Sequence, residues 1–138
     1  MRISSGILAL SLIASGCAHA GLSGPVLPGS PEEGDWIAFY SRDSQSMRQD
    51  YFYDRSRVRR HRNRLVSRWK VLNRLHGEAS ITMYVIEIDC RRATYTEAGT
   101  VIIEADGRRR ELPRSELLVD GPTQAGTSAD LFRRTFCP

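Results

Sequence analysis

Arginine is the residue type in this chain whose density could carry chemistry. The chain has 19 Arg and a single Lys, and six of the arginines fall within residues 54–64. A guanidinium group donates two parallel hydrogen bonds to a carboxylate, phosphate or sulfate group. Five of these arginines therefore form a candidate binding site for anionic glycans, lipopolysaccharide phosphates or acidic segments of a partner protein: Arg55, Arg57, Arg59, Arg60 and Arg62. The alternative is a solvated turn in a protein with a general bias towards arginine.

The groups that an enzyme or a metal site needs are not brought together by sequence spacing. The chain has three histidines, His19, His61 and His76. None of them has a second ligand at a metal-binding spacing, and no phosphate-binding glycine loop or nucleophile motif is present. Glu87 and Asp89 lie two apart on a predicted strand, where we expect them to be solvated and paired with an arginine such as Arg68. We therefore predict a protein that is not an enzyme and has no cofactor and no metal.

The amino-terminal residues are typical of an exported protein. After Arg2, residues 3–14 form an uncharged and largely apolar run, which suits a signal peptide and falls short of the ~20 residues of a membrane span. Residues 14–17 resemble the lipobox of bacterial lipoproteins, in which Cys17 is acylated and becomes the first residue of the mature chain. In the alternative, cleavage after Ala20 yields a soluble periplasmic protein.

The composition divides the chain into three parts. Residues 1–16 are the predicted signal peptide, residues 17–34 form a tether rich in Gly and Pro, and residues 35–138 form one domain. With the lipobox, this predicts a lipoprotein of the cell envelope held by an N-terminal lipid anchor, and Ala18 rather than Asp after Cys17 favours the outer membrane if the cell is Gram-negative. Removing Arg2 lowers the net charge from +4 to about +3, which is too small to argue for nucleic acid as a partner.

Two cysteines remain once Cys17 is acylated or removed. Both routes place the mature protein in an oxidising compartment, where disulfides persist. We therefore predict a bond between Cys90 and Cys137, which would stabilise the domain by about 4 kcal/mol in the chain-entropy model. The alternative is a pair of buried, unpaired thiols.

The alternation of apolar and polar residues predicts about six strands. They cover residues 35–40, 51–53, 64–73, 81–90, 100–105 and 108–112. Residues 41–50 are predicted to be a polar loop, and residues 54–63 a surface turn or one helical turn. Residues 121–126 are also predicted to be loop.

Two of these strands have a clear apolar face. On the strand 81–90 this face consists of Tyr84, Ile86, Ile88 and Cys90, and on the strand 64–73 it consists of Leu65, Ser67, Trp69 and Val71. Arg64, Arg68 and Lys70 are predicted to point the other way. We expect Trp36 and Trp69 to lie in the core.

A short helix is predicted at the carboxyl terminus. Thr127 and Asp130 have the spacing of a capping box, and Leu131, Phe132 and Phe136 fall on one side of the helix that follows. This side must face the sheet, because Cys137 has to reach Cys90.

A set of short motifs occurs in a fixed order along the predicted domain. They are Trp36 in the first strand, Tyr53-Asp54-x-Ser56-x-Val58-Arg59-Arg60 followed by Asn63, Glu87-Ile88-Asp89-Cys90 followed by Arg92 and Tyr95, and the terminal helix with Cys137. This order resembles the surface-adhesin protein E family of bacterial lipoproteins. Arg62 stands where that family often has a glycine.

The resemblance implies an α+β fold, with a single antiparallel sheet of about six strands and one C-terminal helix tied to it by the disulfide. It also implies a non-catalytic outer-membrane lipoprotein that binds host or other extracellular proteins. The alternative is a structural or accessory lipoprotein that faces the periplasm and has no adhesive role.

Overall fold

The computed structural model describes residues 30–112 and 120–138. The predicted signal peptide, the lipobox with Cys17 and the first part of the predicted tether lie outside these residues. The described residues form eight strands, a 3-10 turn over Arg55–Arg57 and one α-helix. The elements are β1 (Trp36–Asp43), β2 (Met47–Asp54), β3 (Arg59–His61), β4 (Arg64–Leu75), β5 (Glu78–Asp89), β6 (Thr94–Ile103), β7 (Arg109–Leu112), β8 (Asp120–Pro122) and α1 (Ser128–Phe136).

All eight strands belong to one antiparallel sheet, in the order β1-β2-β4-β5-β6-β7. β3 pairs with β4 beyond the end of β2, and β8 pairs with β6 beyond the end of β7. The sheet is therefore six positions wide, and two positions each hold two successive strands. The predicted architecture of an antiparallel sheet with one C-terminal helix and a Cys90–Cys137 bond is confirmed, but the predicted count of about six strands is wrong.

The strands that the sequence pattern missed carry few apolar side chains. Residues 41–50 are not a loop, because β1 and β2 continue through them as far as a tight turn closed by a hydrogen bond from Ser44 N–H to the carbonyl of Met47 (2.9 Å). β3 lies in the predicted turn 54–63 and exposes all three of its side chains. β8 contains Gly121 and Pro122, which together predicted a loop. Without a buried face, none of these segments has an apolar period to detect.

The main core lies between the sheet and α1. Leu65, Ser67, Trp69 and Val71 of β4 are buried, and so are Tyr84, Ile86 and Ile88 of β5. Both predicted faces are therefore confirmed, apart from Cys90, which is half-buried. Phe132 of α1 is 1% exposed, and its ring centroid lies 5.1 Å from that of Trp69 and 5.3 Å from that of Tyr53. The predicted position of Trp69 in the core is confirmed.

The terminal helix begins and ends as predicted. The Thr127 side chain accepts a hydrogen bond from the backbone N–H of Asp130 (3.3 Å), and the carboxylate of Asp130 accepts one from Gly126 (3.3 Å). Cys137 follows the last turn and is bonded to Cys90, with their Cα atoms 5.6 Å apart. The end of α1 is therefore fixed to the end of β5.

The opposite face of the sheet carries the buried pair Met83 and Val101 and also Trp36. Trp36 is half-buried, and its ring lies against the Lys70 ammonium at 4.4 Å and the Arg68 guanidinium at 4.7 Å. The expectation that Trp36 lies in the core is wrong, because its place in β1 puts it on the face away from the helix.

None of the helical segments within the described ranges has the length and apolar character that crossing a bilayer requires.

Candidate functional site

The arginine-rich segment is positioned by a buried carboxylate, Asp54, at the end of β2. Asp54 accepts hydrogen bonds from the backbone N–H of Asp35 (3.1 Å) and from the N–H and hydroxyl of Ser56 (3.1 and 2.6 Å). It also forms an ion pair with Arg68 (2.8 Å), whose side chain is 3% exposed. These contacts hold the 3-10 turn against the start of β1.

The charge state of Asp54 follows from the same contacts. Burial alone would raise the pKa of the Asp54 carboxyl group, since it disfavours the ionised form. The hydrogen bonds from Ser56 and Asp35 and the charge of Arg68 outweigh burial, so the pKa of Asp54 lies below its ordinary value. Asp54 is therefore an ionised structural residue whose carboxylate already accepts hydrogen bonds from groups within the protein.

The expectation that an arginine of the neighbouring strand pairs with Glu87 is confirmed, but this arginine is Arg64, and the choice of Arg68 is wrong. Arg68 donates instead to Asp54 and to the carbonyl of Glu33, because residues just before β1 lie over this face of β4. Glu87 pairs with Arg64, and the carboxylate of Asp89 accepts hydrogen bonds from two backbone N–H groups in the turn after β5.

Gly34 lets the chain pass close to this pair. It has φ +141°, and a Cβ there would lie 2.4 Å from the Arg68 guanidinium. The last residues of the predicted tether thus contact the sheet, and the Pro31 carbonyl accepts a hydrogen bond from Lys70 (3.3 Å).

The five predicted arginines lie in one exposed segment. Arg55 and Arg57 are in the 3-10 turn, Arg59 and Arg60 are in β3, and Arg62 is in the turn between β3 and β4. Val58 is half-buried and packs against the core, which anchors the segment in its middle.

These five arginines differ in their partners. Arg55 pairs with Asp35 (2.8 Å) and Arg57 with Asp54 (3.6 Å), while Arg59 donates to the backbone carbonyls of Ser56 and Val58. Arg60 and Arg62 are exposed and have no carboxylate partner within the described part of the chain.

A second turn brings two more arginines to the same end of the sheet. Cys90 N–H donates a hydrogen bond to the Asn63 carbonyl (2.7 Å), so the turn after β5 adjoins the turn before β4. Arg91 and Arg92 lie in it, are exposed and form no ion pair with any residue that the structure describes. We call the arginines of residues 55–64, together with Arg91 and Arg92, the basic end.

A metal site is not indicated for the described residues, where no group of three or more His, Cys, Asp or Glu side chains could hold an ion. His61 lies exposed in β3, and His76 lies exposed in the turn between β4 and β5. Cys90 and Cys137 are committed to the disulfide. Neither histidine contributes to a second candidate site.

A second candidate does occur on the helix side of the sheet, and sequence reasoning missed it. A cavity of about 330 Å³ opens between the sheet and residues 121–129. Its wall contains four aromatic side chains, one each from β2, β4, β5 and β6: Tyr51, Trp69, Tyr84 and Tyr95. Glu97 is the single charged residue among the described residues that line it.

Glu97 reaches this cavity because of a β-bulge. Val85 pairs with Gly99, but the next residue of β5, Ile86, pairs with Glu97, so β6 has one extra residue at position 98. In an uninterrupted ladder Glu97 would face the opposite side of the sheet. No sequence pattern indicates this bulge, since Glu97, Ala98 and Gly99 are weak strand formers and the predicted strand begins only at Thr100. In fact it begins at Thr94.

No known family model, no curated protein and no solved structure matches this chain.

Proposed function

We propose that this chain is an exported, lipid-anchored binding module with no catalytic role, and that its basic end binds anionic groups of extracellular macromolecules. The ligand classes that fit are sulfated glycans and acidic segments of host or other extracellular proteins. The similarity to the surface-adhesin protein E family, seen in the order of the sequence motifs, supports the same function.

One observation carries the proposal. Arg60 and Arg62 are exposed on a short hairpin and have no acidic partner in the described residues. A guanidinium group without an internal partner keeps all of its donors for a ligand, and sulfate and carboxylate groups match their geometry.

The chain offers a matched contrast at another place in the sheet. Arg108 lies just before β7 and Arg110 lies within it, and both are exposed. Arg108 pairs with Asp106 (2.6 Å) and Arg110 with Glu104 (3.6 Å). A polyanion must compete with these carboxylates. The two pairs of arginines therefore carry the same charge. They differ in that the guanidinium groups of Arg108 and Arg110 are already paired with carboxylates.

Heparin chromatography of the purified domain tests this difference. We expect Arg60→Ser with Arg62→Asn to elute at clearly lower salt than the unmodified domain, because two free guanidinium groups are lost. Asn is chosen at position 62 because Arg62 has φ +52°, which Asn tolerates well.

The control is Arg108→Ser with Arg110→Ser, which removes the same charge and should elute close to the unmodified domain. Equal shifts in the eluting salt concentration for the two double variants would show that heparin binding depends on net charge only. No shift for the first variant would contradict a role for Arg60 and Arg62.

A further inference from the structure

The aromatic cavity on the helix side offers a second site of different chemistry. Three of its aromatic walls are close to one another: the ring centroid of Trp69 lies 5.7 Å from that of Tyr84 and 6.5 Å from that of Tyr51. Tyr95 lies on β6, in register with Ile88 of β5 and next to Gly121 of β8. A Cβ atom at position 121 would lie 3.5 Å from the Tyr95 ring. Aromatic faces carry a negative quadrupole, and such walls attract cations.

Glu97 adds a carboxylate to these walls. It lies in β6 two residues from Tyr95 and faces the same side, opposite Ile86. Among the residues that the structure describes, no Arg, Lys or His forms an ion pair with it. A carboxylate turned to the apolar side of a sheet without a counter-ion is costly, and a bulge that puts it there is typical of a functional position.

The titration of the neighbouring groups agrees with this arrangement. Burial raises the pKa of the Glu97 carboxyl group. Burial also raises the pKa values of the Tyr51 and Tyr84 hydroxyls; the charge of Glu97 adds to both shifts, while the charge of Arg42 opposes the shift of Tyr51. A cation beside Glu97 would favour its ionised form and so oppose the effect of burial.

An anionic ligand fits the cavity less well. The amino end of α1 is beside it, but the Gly126 N–H is already bonded to the Asp130 carboxylate and the Asp130 N–H to the Thr127 side chain. The charge of Glu97 would also repel an anion.

We propose that this cavity binds a small organic cation of the alkylammonium class, with the half-buried Tyr51 and Tyr95 beside the cationic head, the buried rings of Trp69 and Tyr84 beneath it and Glu97 as its counter-ion. The volume of about 330 Å³ is at the lower end of the range for ligand pockets, which suits a compact ligand. This site is separate from the basic end and does not depend on the function proposed for it.

Two probes of nearly equal shape separate charge from size. Choline carries a trimethylammonium group, and 3,3-dimethylbutan-1-ol has the same outline with carbon in place of nitrogen. Each is titrated into the isotopically labelled domain, and the amide signals of residues 95–97 and the indole signal of Trp69 are followed by NMR. We expect choline to bind about tenfold more tightly than the neutral alcohol.

Substitution of the carboxylate completes the test. Glu97→Gln keeps the shape of the side chain and should reduce the affinity for choline about tenfold, with little change for the neutral alcohol. Glu111→Gln makes the same change at an exposed position of β7 and should alter neither affinity. The proposal is overturned if choline causes no shift at these signals, if the unmodified domain binds both probes equally, or if Glu97→Gln leaves choline binding unchanged.

Discussion

Asp54 is the residue on which the position of the arginine segment depends. It is the last residue of β2. Its carboxylate accepts three hydrogen bonds, one from Asp35 and two from Ser56, and neutralises the buried guanidinium of Arg68. A buried ion pair adds little net stability over an apolar pair, but loss of one partner leaves the other charge uncompensated. The pair therefore fixes the geometry of the segment more than it adds to the total free energy.

We expect Asp54→Ala to lower the free energy of unfolding by about 3–5 kcal/mol, because Arg68 stays buried without its partner. Asp35→Ala breaks the exposed pair with Arg55 and is the matched control, with an expected loss of about 0–1 kcal/mol. Urea unfolding at neutral pH measures both. Similar losses for the two variants would contradict the role given to Asp54.

The contribution of Asp54 to the free energy of unfolding also depends on pH. Its pKa in the folded state lies below the ordinary value of 3.8, so its contribution is complete above that value and is lost as pH falls through the folded pKa. The difference in stability between the unmodified domain and Asp54→Ala should therefore narrow under strongly acidic conditions. A difference that stays constant with pH would rule out the ionised form as the stabilising species.

The side chains that sequence could place are those with a repeated apolar pattern. Trp69, Ile86 and Phe132 were predicted in the core because each lies on an apolar face with period two or with helical spacing. Asp54 and Glu97 could not be placed in this way. The burial of Asp54 depends on Arg68, which lies on another strand, and Glu97 depends on a bulge set by pairing with β5.

At the scale of elements, α1 and β5 are the two that the disulfide joins. The helix has nine residues, which is too short to be stable alone in water. Phe132 packs it against Trp69, and the bond from Cys137 to Cys90 keeps its last turn on the sheet. The cavity wall formed by residues 121–129 includes the first two residues of this helix and depends on its position.

We expect Cys90→Ala with Cys137→Ala to lose about 4 kcal/mol of unfolding free energy, because the unfolded chain regains the entropy of the open loop. Urea unfolding with and without dithiothreitol measures this. Reduction should destabilise the unmodified domain by a similar amount and leave the double variant unaffected. An unmodified domain that unfolds at the same urea concentration in both conditions would contradict the prediction.

The elements that sequence could predict are those with one buried face. The strands β4 and β5 and the helix α1 were found for this reason, and their faces agree with the structure. β3 and β8 are only three residues long and lie beside longer strands, so their pairing depends on their neighbours in the sheet and leaves no pattern in their own residues.

At the scale of the whole molecule, charge is distributed unevenly. The formal net charge of +4 is modest, yet several arginines that have no carboxylate partner among the described residues collect at the end of the sheet formed by the turns 61–64 and 90–93. A local excess of this kind can steer an anionic partner even when the net charge is small. The sequence indicated the run at residues 55–62, but it could not show that Arg91 and Arg92 lie beside it.

The proposed export and lipid anchor would determine which partners the domain can meet. We expect Cys17→Ser to release the protein from the membrane fraction, since acylation of this residue is the proposed anchor. Fractionation of cells followed by immunoblotting measures this, with Ser15→Ala as a control that keeps the cysteine and should remain with the membrane. Retention of Cys17→Ser in the membrane fraction would show that another feature anchors the chain.

Anion binding at the basic end is tested most directly by finding where a sulfated oligosaccharide contacts the domain. NMR titration of the labelled domain with a heparin hexasaccharide follows every backbone amide at once. We expect the largest shifts in residues 59–64 and 90–93, with small changes at residues 108–111. Shifts that centre on residues 108–111, or no shifts at all, would contradict this expectation.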